Sequence, residues 1–188
     1  MCGRYWIDPG ESPELERIIA EMQRFEGAKT QGEIFPGDKV PVLCRSRAGN
    51  VRPFAMEWGY HMPDGRRLIN ARSETAAEKS MFRQSMQLRR CLLPMSAYFE
   101  WQAGPEGKQK HRIAPKQAGM HYLAGLYRFE DSNPVCTVLT RAAAEEIAFI
   151  HHRMPVILSA NEKESWLSGI PWDFAGYPDL EYARDVGV

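Results

Sequence analysis

Short apolar runs, separated at close intervals by turn-forming residues, dominate this chain and restrict the folds open to it. Runs such as KVPVLCR, VRPFAMEW, HYLAGLYRF and VCTVLTR are rich in β-branched and aromatic residues, and Gly, Pro, Asn or Asp lie between them. Runs of this length and composition are typical of strands, and short breaks favour antiparallel neighbours. Because only a few segments have helical periodicity, the pattern predicts an α+β domain built on a mainly antiparallel sheet.

Three segments have helical features. Residues 12–25 carry an apolar stripe, with Ser12 as the expected N-cap and Pro13 in the first turn. A second helix is predicted near residues 75–88, with a weaker stripe through Ala77, Met81 and Leu88. The last helix is predicted over ANEKESWL with Asn161 as its cap, whereas the stretch EGAKTQGEIFPGDKVP has the composition of a loop.

The totals favour one soluble domain over residues 1–188. No stretch approaches the roughly 20 apolar residues that span a bilayer. Acidic side chains from Asp8 to Glu16 stand where a signal peptide would be apolar. A cytoplasmic protein, monomeric and without a membrane partner, is therefore expected.

The net charge is zero, but the charges are unevenly distributed. Residues 39–90 contain eleven Lys or Arg and four Asp or Glu, a net charge of +7, whereas residues 156–188 contain two and six, a net charge of −4. Arg outnumbers Lys by 17 to 7, and Arg is the better bidentate phosphate ligand. This distribution is compatible with a basic, nucleic-acid-binding face, although a solvated charged surface would look the same.

The cysteines differ in position. Cys44, Cys91 and Cys136 lie in strand-like runs and are expected to be buried. Cys2 follows Met1 directly, so removal of Met1 would leave a free amine and a free thiol on one residue. In such a 1,2-aminothiol the pKa of the amine is about 8 and that of the thiol about 8.5. With an aldehyde, the amine forms an imine, and the thiol then closes a thiazolidine ring. No cysteine pair or histidine cluster has zinc-ligand spacing, and no metal or organic cofactor is expected.

Three further stretches carry candidate chemistry. In LINARSET, Asn70 and Arg72 share one face if the stretch is a strand, which is either a groove lining or an ordinary solvated face. In SAYFEWQ, Glu100 lies between large rings that could raise its pKa, unless the strand simply turns Glu100 towards solvent. In IHHRMPVIL, adjacent histidines on a strand would point to opposite sides. One of them could be a general acid or base, or a purely structural histidine.

Taken together, MCGRY, LINARSET, CLLPMSAYFEW and IHHRMPVIL, in this order, resemble the SOS response-associated peptidase (SRAP) family from Met1 to about Leu167. The resemblance implies one α+β domain with a curved, mainly antiparallel, barrel-like sheet, a few flanking helices and a charged cleft. It implies binding to single-stranded DNA and a covalent link to abasic sites, whose open sugar is an aldehyde. A nucleoid-associated location follows from that expectation.

The resemblance also assigns roles to residues. Cys2 would be the nucleophile, Asn70 would orient it, Glu100 would assist proton transfer, and His151 would move protons at the sugar. Contacts to DNA are expected from six residues: Arg4, Pro36, Trp58, Arg72, Trp101 and Arg153. His152 departs from the family, whose members often carry Asp there.

Two other functions compete with this one. The same Cys2, Glu100 and His151 could serve a thiol peptidase that acts on its own N-terminus or on other proteins. A non-covalent nucleic-acid-binding module would use the arginines and tryptophans, but it leaves Cys2 without a role.

Overall fold

The computed structural model describes residues 2–46, 48–174 and 176–185, and strands account for most of the regular structure. The strands are β1 (Arg4–Ile7), β2 (Gly32–Ile34), β3 (Lys39–Arg45), β4 (Val51–Trp58), β5 (Tyr60–His61), β6 (Arg67–Leu68), β7 (Asn70–Arg72), β8 (Arg90–Met95), β9 (Ala97–Gly104), β10 (Gly107–Pro115), β11 (His121–Glu130), β12 (Asn133–Ala142), β13 (Arg153–Pro155), β14 (Ile157–Ser159) and β15 (Leu180–Arg184). The α-helices are α1 (Pro13–Met22), α2 (Ser73–Ala76), α3 (Ser80–Leu88) and α4 (Lys163–Leu167), and three single 3₁₀ turns cover Pro9–Glu11, Glu145–Ile147 and Ala160–Glu162.

Five strands close into a barrel. Their order is β12-β4-β3-β8-β11, and β11 pairs with β12 again to complete the ring. Pairing is antiparallel except where β12 meets β4 and β7. The predicted mainly antiparallel, barrel-like α+β core is confirmed.

A second sheet, with strand order β15-β10-β9-β1-β2, packs against the barrel and is called the five-stranded sheet below. Tyr5 of β1 meets Trp58 of β4 edge to face at 5.3 Å, and both side chains are fully buried. The Trp58 indole N–H donates to the carbonyl of Ile69 at 3.1 Å, which ties β4 to the start of β7. The chain start is therefore fixed between the two sheets rather than free in solvent.

The first predicted helix is confirmed, including its cap. Ser12 Oγ accepts a hydrogen bond from Leu15 N–H at 3.1 Å, and Pro13 occupies the first turn. Leu15, Ile18 and Met22 are buried, so the apolar stripe faces the core.

Three local predictions were wrong. The helix near residues 75–88 is two helices, α2 and α3, and the buried face carries Phe82, Ser85 and Met86 while Met81 and Leu88 are exposed. Because the helix is interrupted at residues 77–79, α3 turns a different set of side chains towards the core than one continuous helix would. The predicted loop contains β2, whose three residues are too few for a sequence pattern and are held by pairing with β1.

The third error concerns the last cap. Ser159, not Asn161, caps the last helical segment: its backbone N–H and hydroxyl both donate to Glu162 Oε2, at 2.8 and 2.7 Å. Within the described ranges, every helix is too short or too polar to cross a bilayer.

Candidate functional site

The four candidate catalytic residues come from four segments that meet between the two sheets. Cys2 precedes β1, Asn70 opens β7, Glu100 lies in β9 and His151 precedes β13. Cys2, Asn70 and Glu100 are buried, and His151 is half-buried. The fold thus assembles residues that are far apart in the sequence.

Asn70 holds the backbone of residue 2. Its side-chain N–H donates to the carbonyl of Cys2 at 2.8 Å. Asn70 itself is held in place because β7 pairs in parallel with β12, where it lies opposite Val138. The side chain is only 8% exposed, so the alternative of a solvated strand face does not apply to it. The consequence is a fixed main chain at the candidate nucleophile.

The thiol of Cys2 is fully buried and lies 3.8 Å from the carbonyl oxygen of Arg4. Burial, together with the negative charge of Glu100, raises the pKa of the Cys2 thiol well above its usual range. The thiol is therefore neutral at physiological pH, and its reaction requires a base that removes its proton.

Glu100 is the nearby carboxyl group that fits this need. It is 3% exposed, which excludes the alternative that β9 turns it towards solvent. Burial raises the pKa of Glu100, and the positive charge of a protonated His152 acts in the opposite direction. A carboxyl with a raised pKa can both give and accept a proton near neutral pH.

His151 is oriented by its own loop. Its ring nitrogen Nδ1 accepts a hydrogen bond from the backbone N–H of Arg153 at 2.9 Å. Burial lowers the pKa of His151, so the ring is neutral at pH 7. The same nitrogen lies 3.2 Å from the carbonyl oxygen of Arg153, so the backbone of Arg153 orients the ring through Nδ1 in either tautomer.

The prediction that the two histidines point to opposite sides was wrong. They precede β13 rather than lie on it, and their rings stack at a centroid distance of 4.4 Å and an angle of 22°. The charge of His151 is the main cause that lowers the pKa of the exposed His152. Two stacked imidazoles do not readily carry two positive charges.

The guanidinium of Arg153 is bound by other groups of the protein. It binds Glu74 in a bidentate pair at 2.5 and 2.9 Å and donates to the carbonyl of Thr140 at 2.7 Å. Its side chain is only 12% exposed. In the free protein Arg153 therefore ties the His151 loop to the start of α2, and its contact with a phosphate stays a prediction.

The other residues expected to contact DNA differ in how far they are exposed. Trp58 lies in the core without exposed surface, so it cannot stack on a base and that expectation was wrong. Pro36 is half-buried in the turn after β2, and Trp101 is half-buried. Arg72 is exposed at the end of β7, and its charge is the smallest of the causes that lower the pKa of His152, of which the charge of His151 is the largest.

Arg4 is half-buried and already engaged. Its guanidinium lies 4.2 Å from the ring centre of Phe35 and 5.3 Å from that of Trp101, and Nη1 is 3.3 Å from a carboxylate oxygen of Glu33. Glu33 and Phe35 were not predicted as site residues, because both belong to the stretch interpreted as a loop.

The expected chemistry of Cys2 depends on removal of Met1, and Met1 lies outside the described residues. Across the ranges that the structure covers, no three His, Cys, Asp or Glu side chains are grouped to hold a metal ion.

Comparison with solved structures agrees with this architecture. A crystal structure of a protein from Bacteroides thetaiotaomicron superposes with a TM-score of 0.77 at 19% identity, over 97% of this chain and 91% of that one. A protein from Bordetella bronchiseptica gives 0.75 at 20% identity, over 98% and 99%. These similarities concern the fold.

Sequence relatives are more specific. The chain is 31% identical to abasic site processing protein YoqW of Bacillus subtilis, over 89% of this chain and 80% of the relative. It is 31% identical to abasic site processing protein YedK of Escherichia coli, over 89% and 79%. The family model described as SOS response associated peptidase (SRAP) matches residues 1–175. The chain therefore belongs to the SRAP family.

Proposed function

We propose that this protein binds abasic sites in single-stranded DNA and links to them covalently through Cys2 after Met1 has been removed. The observation that carries the proposal is the placement of Cys2, which is fully buried beside Glu100 and held at its carbonyl by Asn70. The names of the relatives, abasic site processing proteins, support the choice of lesion.

The chemistry follows from the two nucleophiles of an N-terminal cysteine. The amine of Cys2 attacks the sugar aldehyde, and loss of one water gives an imine. The thiol then adds to the imine carbon, its proton moves to the nitrogen, and a thiazolidine ring results. One water is released overall and no oxidant or reductant is consumed.

Each neighbouring residue has a role in that sequence. Asn70 fixes the carbonyl of Cys2, and so limits the positions of the adjacent amine. During ring closure, after the water has left, Glu100 takes the proton of the buried thiol and passes it to the imine nitrogen. His151 transfers a proton to the ring oxygen of the sugar as the ring opens, while the C1′ hydroxyl loses its proton to give the aldehyde. Arg4 and Arg72 bind flanking phosphates.

The test is a denaturing gel of purified protein with single-stranded oligonucleotides that are intact or carry one abasic site. Wild type is expected to give a slow-migrating species with the abasic oligonucleotide only. Cys2→Ser keeps the amine but lacks the thiol, so its adduct should survive the gel only after reduction with borohydride. Cys44→Ala, which removes a different buried cysteine, serves as the control and should crosslink like wild type. Intact mass spectrometry must establish that Met1 is absent. A stable adduct in Cys2→Ser, or none in processed wild type, would overturn the proposal.

The peptidase alternative uses the same residues but needs an activated thiolate. The discriminating observation is Met1 in a Glu100→Gln variant produced in a host without methionine aminopeptidase. Retention of Met1 there, with loss of Met1 in wild type from the same host, would favour self-cleavage.

A further inference from the structure

A cluster of cations and aromatic rings lies on the face of the five-stranded sheet opposite to Glu100. Strand register places its members there: Arg4 lies opposite Phe99, and Lys110 opposite Trp101. Side chains alternate between the two faces of a strand, so Phe99 and Trp101 share one face while Glu100 occupies the other. Glu33 joins the cluster because it lies opposite Trp6, two residues from Arg4 on β1.

One carboxylate oxygen of Glu33 forms ion pairs with both cations of this cluster, Arg4 and Lys110. Glu33 Oε1 lies 3.3 Å from Arg4 Nη1 and 2.9 Å from Lys110 Nζ. The two cations come from different strands, β1 and β10, and converge on a single anionic oxygen. A phosphate oxygen makes the same kind of contact with Arg and Lys, so the carboxylate marks a position that suits an anion.

Both cations are held by aromatic surfaces. The Arg4 guanidinium lies between Phe35 and Trp101, and Lys110 Nζ is 3.9 Å from the ring centre of Phe99. Lys110 also contacts Asp185 at 2.8 Å, so it keeps one counter-ion if Glu33 moves away. These positions would therefore change little if another anion replaced Glu33.

We propose that Arg4 and Lys110 form a binding subsite for a phosphodiester of single-stranded DNA, and that the Glu33 carboxylate occupies this subsite in the free protein. This Arg4–Lys110 subsite rests on the proposed function. We assign a DNA phosphate to this subsite because Arg4 is two residues from Cys2 and Trp101 is adjacent to Glu100, which places the cluster on the other face of the strands that carry the lesion site. Glu33 acts as an internal competitor that weakens binding of DNA.

The proposal predicts opposite effects for the two charges. Glu33→Gln should tighten binding of an intact single-stranded oligonucleotide about fivefold at low salt, because Arg4 loses the Glu33 counter-ion and Lys110 loses one of its two. Lys110→Met keeps the apolar stem over Phe99 but removes the charge, and should weaken binding about fivefold. The slope of log affinity against log salt should become steeper by about 0.7 in the first variant and shallower by about 0.7 in the second.

Fluorescence anisotropy over a series of salt concentrations measures both quantities. Lys110→Arg should retain affinity and slope, which excludes a purely structural effect. Lys116→Met removes an exposed lysine at the end of β10 and should behave like wild type. Inorganic phosphate is substituted for chloride at constant ionic strength in a parallel series, and it should displace DNA no better than chloride does.

Three results would overturn the subsite: unchanged affinity in Glu33→Gln, an effect of Lys110→Met no larger than that of Lys116→Met, or displacement of DNA by inorganic phosphate alone. The abasic-site crosslinking gel separates this failure from failure of the proposed function. Crosslinking that persists while the charge variants bind equally removes the subsite only. Binding that responds as predicted, without any crosslink by processed wild type, removes the covalent function only.

Discussion

At this site, burial within the fold shifts the pKa of individual side chains, so their protonation states do not follow from residue type alone. Glu100 is buried, so its carboxyl group has a raised pKa, and the Cys2 thiol is neutral for the same physical reason. A buried carboxyl is costly to ionise, and this cost is part of the free energy of unfolding. Burial of Glu100 therefore suits the carboxyl for proton transfer but lowers the free energy of unfolding when the carboxyl is ionised.

Glu100→Gln should separate the two effects. Since the folded pKa of Glu100 exceeds its unfolded value of about 4.5, wild type loses stability as the pH rises above that value. The variant lacks this loss, so urea unfolding should show a larger gain over wild type at pH 8 than at pH 5. Its crosslinking rate should fall about a hundredfold because proton transfer is lost.

The control for that experiment is Glu106→Gln, an exposed glutamate in the turn between β9 and β10. It should change neither the pH dependence nor the rate. Equal crosslinking rates for Glu100→Gln and wild type would show that Glu100 takes no part in proton transfer.

Distinctive local motifs led to the prediction of Asn70 and Glu100 as site residues, and their roles stay predictions. Asn70 and Glu100 were predicted to line a site, and the structure buries both next to Cys2. The partners of Arg4 and Arg153 were not predicted, because Glu33 and Glu74 lie 29 and 79 positions away in the chain. Only the folded arrangement of strands brings such pairs together.

At the level of elements, the Arg153–Glu74 pair joins two parts of the site. Glu74 belongs to α2, and Arg153 opens β13 and donates its backbone N–H to His151. Hydrogen bonds from Arg153 lower the pKa of Glu74 to about 2. The pair thus sets the position of the His151 loop relative to β7 and α2.

Glu74→Gln should reveal this link through its pH dependence. A carboxyl whose folded pKa is depressed contributes stability that is complete above its unfolded pKa and is lost as the pH falls through the folded value. The variant should therefore be less stable than wild type at pH 7, and the difference should shrink between about pH 4.5 and pH 2. The effect is modest because Glu74 is half exposed.

Urea unfolding at several pH values measures this difference, and Glu78→Gln, an exposed glutamate just after α2, is the matched control. A difference between Glu74→Gln and wild type that stays constant down to pH 2 would contradict the role of the ion pair.

Elements were predictable where one run of residues contains the whole pattern. β3 and β4 begin and end where their apolar runs do, and α1 begins at its Ser12 cap. The buried face of α3 was not predictable, since it depends on a break at residues 77–79 and on packing of Phe82 against Tyr60, whose ring centres are 6.0 Å apart. β2 was missed because its pairing with β1, and not its sequence, defines it.

For the molecule as a whole, closure of the barrel requires close approach of β8, β11 and β12. Gly125 lies in β11 at this point, opposite Cys91 and Val138. A Cβ atom added there would lie 2.7 Å from Leu93 Cδ1 and 3.0 Å from the carbonyl oxygen of Thr137. The backbone of Thr137 and the packed side chain of Leu93 leave little room for that added atom.

Gly125→Ala should consequently destabilise the protein by about 1–3 kcal/mol through overpacking. Thermal and urea unfolding measure the change. Gly176→Ala is the matched control, because a Cβ there meets nothing within 4 Å and the backbone is not left-handed. If both variants unfold alike, the barrel tolerates more expansion at β11 than the contacts indicate.

The burial of Cys2 also bears on how the protein survives the conditions in which it would be needed. Peroxide and related oxidants attack thiolates that they can reach, and oxidation beyond the sulfenic acid is generally irreversible. The Cys2 thiol is both protonated and enclosed, and the other three cysteines are buried as well. In the function proposed above, reactive oxygen that damages DNA would therefore leave the Cys2 thiol intact.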